Sequence, residues 1–206
     1  RYELHGTVLL VFQPAEEKTP VGGARPMLEA GVFDEIKPDV IYGQHVWPDL
    51  PVGQVGIRDG EMMGASDGFK ITITGTGGHA SMPHKTTDPI VTAAYLITNL
   101  QTIVSRNVNP LEAAVVTIGK IEEGSARNII GNEVTMEGTV RTYQPEIKEK
   151  VKKRLFTITD HVAEMYGNKV ILEYYDGYPA TINTPKWARL ARNTAQNYSV
   201  QKPHRK

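Results

Sequence analysis

At 206 residues, with 40% hydrophobic and 22% charged positions, the chain has material for one large domain or two small ones and too little charge excess for intrinsic disorder. Lys plus Arg equals Asp plus Glu at 23 each, so the positive field that draws proteins to nucleic acid or anionic membrane is missing, and neither is expected as a partner. There is no cysteine, which excludes disulfides, thiolate zinc sites and cysteine nucleophiles and leaves any metal to His, Asp and Glu.

No apolar run approaches the roughly 18 residues of a membrane span, and Arg1 to His5 offers neither an initiator Met nor a signal-peptide core. The expectation is a soluble, cytoplasmic protein that is a piece of something longer. Thr7 to Phe12, TVLLVF, is a continuous β-branched and apolar run ending at Gln13-Pro14, the pattern of a strand buried on both faces of an α/β sheet. From Gly22 to Gly31, Ala24, Met27 and Leu28 fall at helical spacing, Gly31 supplies a stop, and Pro26 is tolerable only in the first turn. A second short strand, Val40 to Tyr42, runs into Gly43-Gln44-His45. Strand, helix and strand make a βαβ unit, whose loops past the strands' carboxyl ends are where such folds place ligands.

From Ser66 the pattern changes. Phe69, Ile71 and Ile73 alternate with Lys70, Thr72 and Thr74, the period of a strand with one wet face. Asp88 to Val104 reads as a helix, with Thr87 or Asp88 as N-cap and Pro89 at the first helical position. Strands follow at Ala113 to Ile121 and Asn132 to Tyr143, the latter with Val134, Met136, Gly138 and Val140 inward. Ile147, Val151, Leu155, Ile158 and Val162 then form the apolar stripe of a second helix, and Val170 to Tyr174 a last strand. The order β, α, β, β, α, β is the ferredoxin-like arrangement, one antiparallel sheet with both helices on one face. The fold class expected is α/β: a partial α/β domain at 1–63 and 177–206, with a ferredoxin-like βαββαβ domain inserted at 64–176. A further helix is expected from about Pro185 to Gln196, before a basic, unpatterned end from Tyr198 onward.

Glu16-Glu17, just past the first strand, is the best candidate for chemistry, because adjacent carboxylates point in different directions and can divide two roles. One can bind a divalent cation while its neighbour takes a proton from water, worth about 10² to 10⁴ in rate. The plain alternative is a solvated pair favoured by a helix dipole. His45 could ligate a cation beside Glu17, or be a turn residue satisfied by backbone. His79 sits in GTGGHASMPH, where small residues admit close approach of a ligand. It reads either as a donor to a developing oxyanion or as a loop histidine. His84 is five positions on, across Pro83, so the two do not form a joint metal site. Arg127, Asn128 and Arg141 could hold a carboxylate; His5, His161 and His204 read as surface residues.

FQPAEE at 12–17, GQHVWP at 43–48, GTGGHASMPH at 75–84 and ARNIIGNEVTMEGTVRTY at 126–143 together resemble the aminoacylase and carboxypeptidase family of co-catalytic metallopeptidases, in the amidohydrolase branch with N-acyl-amino-acid, hippurate and indoleacetyl-amino-acid hydrolases. The resemblance runs to about residue 196. It implies a catalytic α/β domain holding two divalent ions, zinc or else manganese or cobalt, with a smaller lid that also makes a homodimer. It further implies Glu16 as general base, Glu17 and His45 as metal ligands, His79 as oxyanion donor, and Asn128 and Arg141 as substrate-binding residues. The reaction implied is hydrolysis of an N-acyl amino acid. Relatives in this branch also draw ligands from an upstream Cys-Gly-His-Asp type motif and a late histidine, neither of which is among these residues. The chain alone is therefore expected to bind metal poorly and turn over little. The alternatives are a truncated, non-catalytic dimerising protein and a dipeptidase or aminopeptidase of the same family.

Overall fold

The structure, a computed structural model, describes residues 5–18 and 21–199, the side chains of 198 and 199 excepted. His204 and nearly all of the basic end lie outside the described residues. The chain divides into two compact units, the first formed by residues 1–60 and 183–206 and the second by the continuous stretch 61–182 between them.

In the second unit, β1 (Gly60–Met63) leads to β2 (Asp67–Thr74), a short β3 (Gly78–His79) and helix α2 (Pro89–Thr102), the first helix, α1 (Ala24–Glu29), having preceded them. After α2 the helical path widens to a π-type turn at Ile103–Asn107 and continues to β4 (Ala114–Glu122), β5 (Ile129–Ile130) and β6 (Glu133–Thr142). Helix α3 (Pro145–Met165), β7 (Lys169–Tyr175) and β8 (Thr181–Asn183) follow, and α4 (Pro185–Ser199) ends the described chain.

The main sheet has the order β4-β6-β2-β7, every pair antiparallel, which with α2 and α3 is the ferredoxin-like topology. The alternation in β2 sets its register: Phe69, Ile71 and Ile73 are buried and Lys70 and Thr72 only partly so. Opposite them, Val134, Met136 and Val140 of β6 are buried, Ile71 facing Met136 and Ile73 facing Val134. The stripe on α3 closes the core from one side, with Ile147, Val151, Leu155, Ile158 and Val162 all buried. Leu96, Leu100 and Ile103 close it from α2 and the turn beyond it. Full burial of each such side chain is worth about 1.5 to 3 kcal/mol, so this cluster is the main source of the unit's stability.

Helix α2 begins where its cap dictates, the Asp88 carboxylate accepting from the N–H groups of Ile90 (2.8 Å) and Val91 (3.3 Å) with Pro89 at the first position. The β1 and β8 strands, and the small β3–β5 ladder, have no clear pattern in the sequence because each is only two to four residues long.

The first unit departs from expectation. Helix α1 is present with Pro26 in its first turn, and Gly31 follows it at φ +80°. The strands expected at Thr7 to Phe12 and Val40 to Tyr42 are not formed; both segments run without ladder partners, and Val8, Leu10, Phe12, Ile41 and Tyr42 are exposed. A β-branched run records a preference for extended, buried backbone. It becomes a strand only when neighbours supply its hydrogen bonds and cover its faces, and the described residues of this unit supply neither. Contacts within it include Arg192 and Arg189 of α4, which reach Asp59 at 2.5 and 3.6 Å, and Asn183 at the end of β8, which donates to the Arg58 carbonyl at 2.9 Å.

Candidate active site

Glu16 and Glu17 lie exposed in the turn after Pro14. Ala15, just before them, has φ +51°, a left-handed backbone that L side chains adopt at a cost of about 1 to 2 kcal/mol. The turn is held by Lys18 N–H on the Ala15 carbonyl (3.1 Å) and Gly22 N–H on the Lys18 carbonyl (2.7 Å). Gly23, at the start of α1, is buried so closely against Pro14 that a Cβ there would overlap the Pro14 carbonyl. Small residues at 22 and 23 thus let α1 lock the backbone that carries the acidic pair.

His45 is exposed in the loop after Tyr42. Its Nδ1 is 2.6 Å from the Val46 carbonyl oxygen, and since a carbonyl only accepts, Nδ1 carries a proton, which in the neutral ring leaves Nε2 with its lone pair. That is the arrangement of a metal-ligating imidazole, whose second nitrogen donates to a carbonyl or carboxylate. Trp47 packs edge-on against the ring at 6.0 Å between centroids.

His79 is held the opposite way round. The Ser81 backbone N–H donates to His79 Nδ1 at 3.2 Å, and Ser81 Oγ lies 2.7 Å from the same atom. A nitrogen accepting from an amide has no proton of its own, so Nε2 is the N–H and faces outward as a donor. The loop that carries it is tied at its base by the Thr76–Thr87 bridge. Its glycines are required by contact: a Cβ at Gly75 would meet the Thr87 carbonyl, one at Gly77 would lie 2.5 Å from the Ile130 carbonyl oxygen, and one at Gly78 would lie 2.8 Å from the Thr86 methyl. Asn132 fixes the same run twice, its side-chain oxygen accepting from Gly77 N–H and its carbonyl from Gly75 N–H, both at 2.8 Å.

Asn128 joins His79 through this ladder. His79 pairs with Ile129, and Ala80 N–H donates to the Asn128 carbonyl at 3.0 Å. Arg141 does not join them. It lies eight residues along β6 from Glu133, roughly 26 Å at about 3.3 Å per residue, and its guanidinium donates to the carbonyls of Asp67 (3.2 Å) and Val140 (3.0 Å) and to Thr139 Oγ1. Within one chain, Asn128 and Arg141 therefore do not grip one carboxylate. A cavity of about 340 Å³ at the start of α3, lined by Lys148, Lys152 and Asp176 among others, contains none of the expected site residues. Ser81 and Asn132 were missed by reading the sequence. The signal for Ser81 was a hydroxyl two positions after a histidine in a glycine-rich loop.

No group of three or more His, Asp or Glu side chains able to hold a metal occurs among the described residues. A catalytic zinc site takes three protein ligands and a water. His45 fits as one ligand, but Glu17 and His45 together fall short of one such site and far short of two.

Residues 1–206 match the peptidase family M20/M25/M40, and the chain belongs to that family. It is 43% identical over 96% of its length to an N-acetyl-L-cysteine deacetylase of Bacillus subtilis, covering 47% of that protein. With an N-acetyldiaminopimelate deacetylase of Priestia megaterium it shares 42% identity over 84% of its length, covering 46% of that protein. Among solved structures it is similar to a protein of methicillin-resistant Staphylococcus aureus provisionally assigned as an aminohydrolase (TM-score 0.79, 38% identity, 90% of this chain and 48% of that one). It is also similar to a dinuclear metal binding peptidase of the M20 family from Bacillus subtilis (TM-score 0.67, 33% identity, 94% and 47%). The chain thus spans about half the length of these relatives.

Proposed function

We propose that this chain is the base-bearing and lid-bearing portion of an amidohydrolase that cleaves the amide bond of N-acyl amino acids. The observation that carries the reading is that relatives similar across most of the chain act, by name, on N-acetylated amino acids. In this reading Glu16 takes a proton from the attacking water and delivers it to the leaving amine, worth about 10² to 10⁴ in rate. His79 donates its Nε2–H to the oxyanion of the tetrahedral intermediate, worth about 10² to 10³. Asn128, beside His79, and Arg141, at the far end of the sheet, are assigned to the substrate's carbonyl and carboxylate. Because they lie far apart in one chain, a homodimer formed through the ferredoxin-like unit is part of the proposal. Glu17 and His45 supply two contacts to a pair of divalent ions, zinc or else manganese or cobalt, and the remaining ligands have to come from outside the described residues. The lid domain is assigned to about 64–176, and the protein to the cytoplasm; among the described residues no helix is long and apolar enough to cross a membrane.

The test is release of free amine from N-acetyl amino acids by the gene product that contains this chain, with and without Glu16→Gln. Turnover should fall at least 100-fold while bound metal, measured by elemental analysis, stays the same. Undiminished turnover would remove Glu16 as the base. A second reading, that the 206-residue chain by itself is a non-catalytic dimerising protein, is favoured by the lack of a three-donor cluster among the described residues. Two tightly held ions per isolated chain would overturn it.

A further inference from the structure

Among the described residues, the exposed His79 ring is gripped on one side only, and both contacts come from one residue two positions along the chain. We propose that Ser81 is the positioning residue that holds the His79 imidazole in a single orientation as its Nε2–H tautomer, so that the loop presents a hydrogen-bond donor and not a lone pair. This deepens the amidohydrolase reading and rests on it for the use to which the donor is put.

Three observations combine. The Ser81 amide approaches Nδ1 at 3.2 Å and is an obligate donor, so the ring nitrogen it meets must be unprotonated. The Ser81 hydroxyl, 2.7 Å from the same nitrogen, rotates to donate as well, and two donors on one lone pair leave Nδ1–H no room. The backbone beneath cannot drift, because Met82 N–H closes on the His79 carbonyl at 2.8 Å and Ala80 N–H on the Asn128 carbonyl at 3.0 Å, so Ser81 has one place to stand. An oxyanion requires a donor at a fixed position before charge develops, since a ring that must turn or change tautomer forfeits part of the stabilisation. His45 is held the opposite way, its Nδ1 meeting the Val46 carbonyl, so each of the two rings is oriented by a residue close to it in sequence.

The experiment is long-range proton–nitrogen correlation of the ¹⁵N-histidine-labelled 206-residue chain at a pH where the imidazoles are neutral. His79 should show an unprotonated Nδ1 and a protonated Nε2. In Ser81→Ala, which keeps the amide and loses the hydroxyl, the His79 Nδ1 signal should move toward the protonated position, and Ser81→Thr should restore it. A protonated Nδ1 at His79 in the unaltered chain, or Ser81→Ala ring signals that coincide with those of the unaltered chain, overturns the assignment. The spectra need no turnover, so they separate this proposal from the assigned reaction. Should the tautomer hold while the gene product containing this chain releases no amine from N-acetyl amino acids, the amidohydrolase reading fails and the role of Ser81 stands.

Discussion

Lys148→Met tests the charged network at the start of α3. The Asp67 carboxylate is completely buried, and it accepts from Lys148 Nζ (3.0 Å), the Tyr174 hydroxyl (2.9 Å) and the Gly177 N–H (2.9 Å). Lys148 also meets Asp176 at 2.8 Å, which in turn meets Lys152 at 3.2 Å. Methionine keeps the packing of the lysine stem and removes the charge. Removing one partner of a fully buried ion pair costs about 3 to 5 kcal/mol. The Lys148 side chain is 20% exposed and Asp67 retains two donors, so we expect about 2 to 4 kcal/mol and a fall in melting temperature of roughly 5 to 15 °C. Thermal and urea unfolding of the chain, followed by circular dichroism, measure this. Adding Asp67→Asn removes the stranded charge, so the double variant should be less destabilised than the sum of the singles by at least about 1 kcal/mol. A loss under about 0.5 kcal/mol for Lys148→Met, or strict additivity, would refute the reasoning.

The pH dependence has a definite sign. The hydrogen bond from Lys148 holds the Asp176 carboxyl below its ordinary 3.8, against a smaller opposing effect of burial, with Lys152 helping. A depressed carboxylate stabilises the fold above its unfolded pKa and loses that contribution as pH falls through the folded value. Lys148→Met should therefore flatten the loss of stability below about pH 4. Burial alone would lower the pKa of Lys148, but its bonds to Asp176 and Asp67 outweigh that and raise it above 10.5, so its contribution is complete below that pH and fades above it. Burial, and after it the charge of Asp67, also raises the Tyr174 phenol, which remains a donor throughout.

Two further outcomes are expected in the same unit. Asp88→Ala leaves the Ile90 and Val91 amides without their acceptor and should cost about 1 kcal/mol in urea midpoint analysis, with Asp88→Asn recovering most of it. Gly138→Ala places a methyl into the Phe69 ring and 2.6 Å from the Thr117 carbonyl oxygen, and should cost about 2 to 3 kcal/mol or more, read as a lowered melting temperature. A neutral effect would mean that β4 can shift away from β6 at that position.

The ferredoxin-like unit was legible because its elements carry their own instructions. The stripe from Ile147 to Val162 specifies α3, alternation specifies β2 and β6, and Asp88-Pro89 marks the start of α2. The first unit was misread at Thr7 to Phe12 and Val40 to Tyr42, since composition states what a segment prefers and strand formation depends on what lies beside it. The motif residues could be found one by one, but their relations could not. That His79 and Asn128 share a ladder while Arg141 lies at the other end of β6 follows from sheet register, and the orientations of the two histidine rings follow from contacts with residues one or two positions away.

Among the described residues, every member of the main apolar cluster lies between residues 69 and 162, while the half that carries Glu16 contributes only Ala188 to the fully buried hydrophobic side chains. Resistance to heat or denaturant consequently reports on the inserted half and is nearly blind to the other. Substitutions around the acidic doublet can loosen or tighten its surroundings without registering in a melting curve, so that segment is free to vary while the scaffold's robustness goes unchanged.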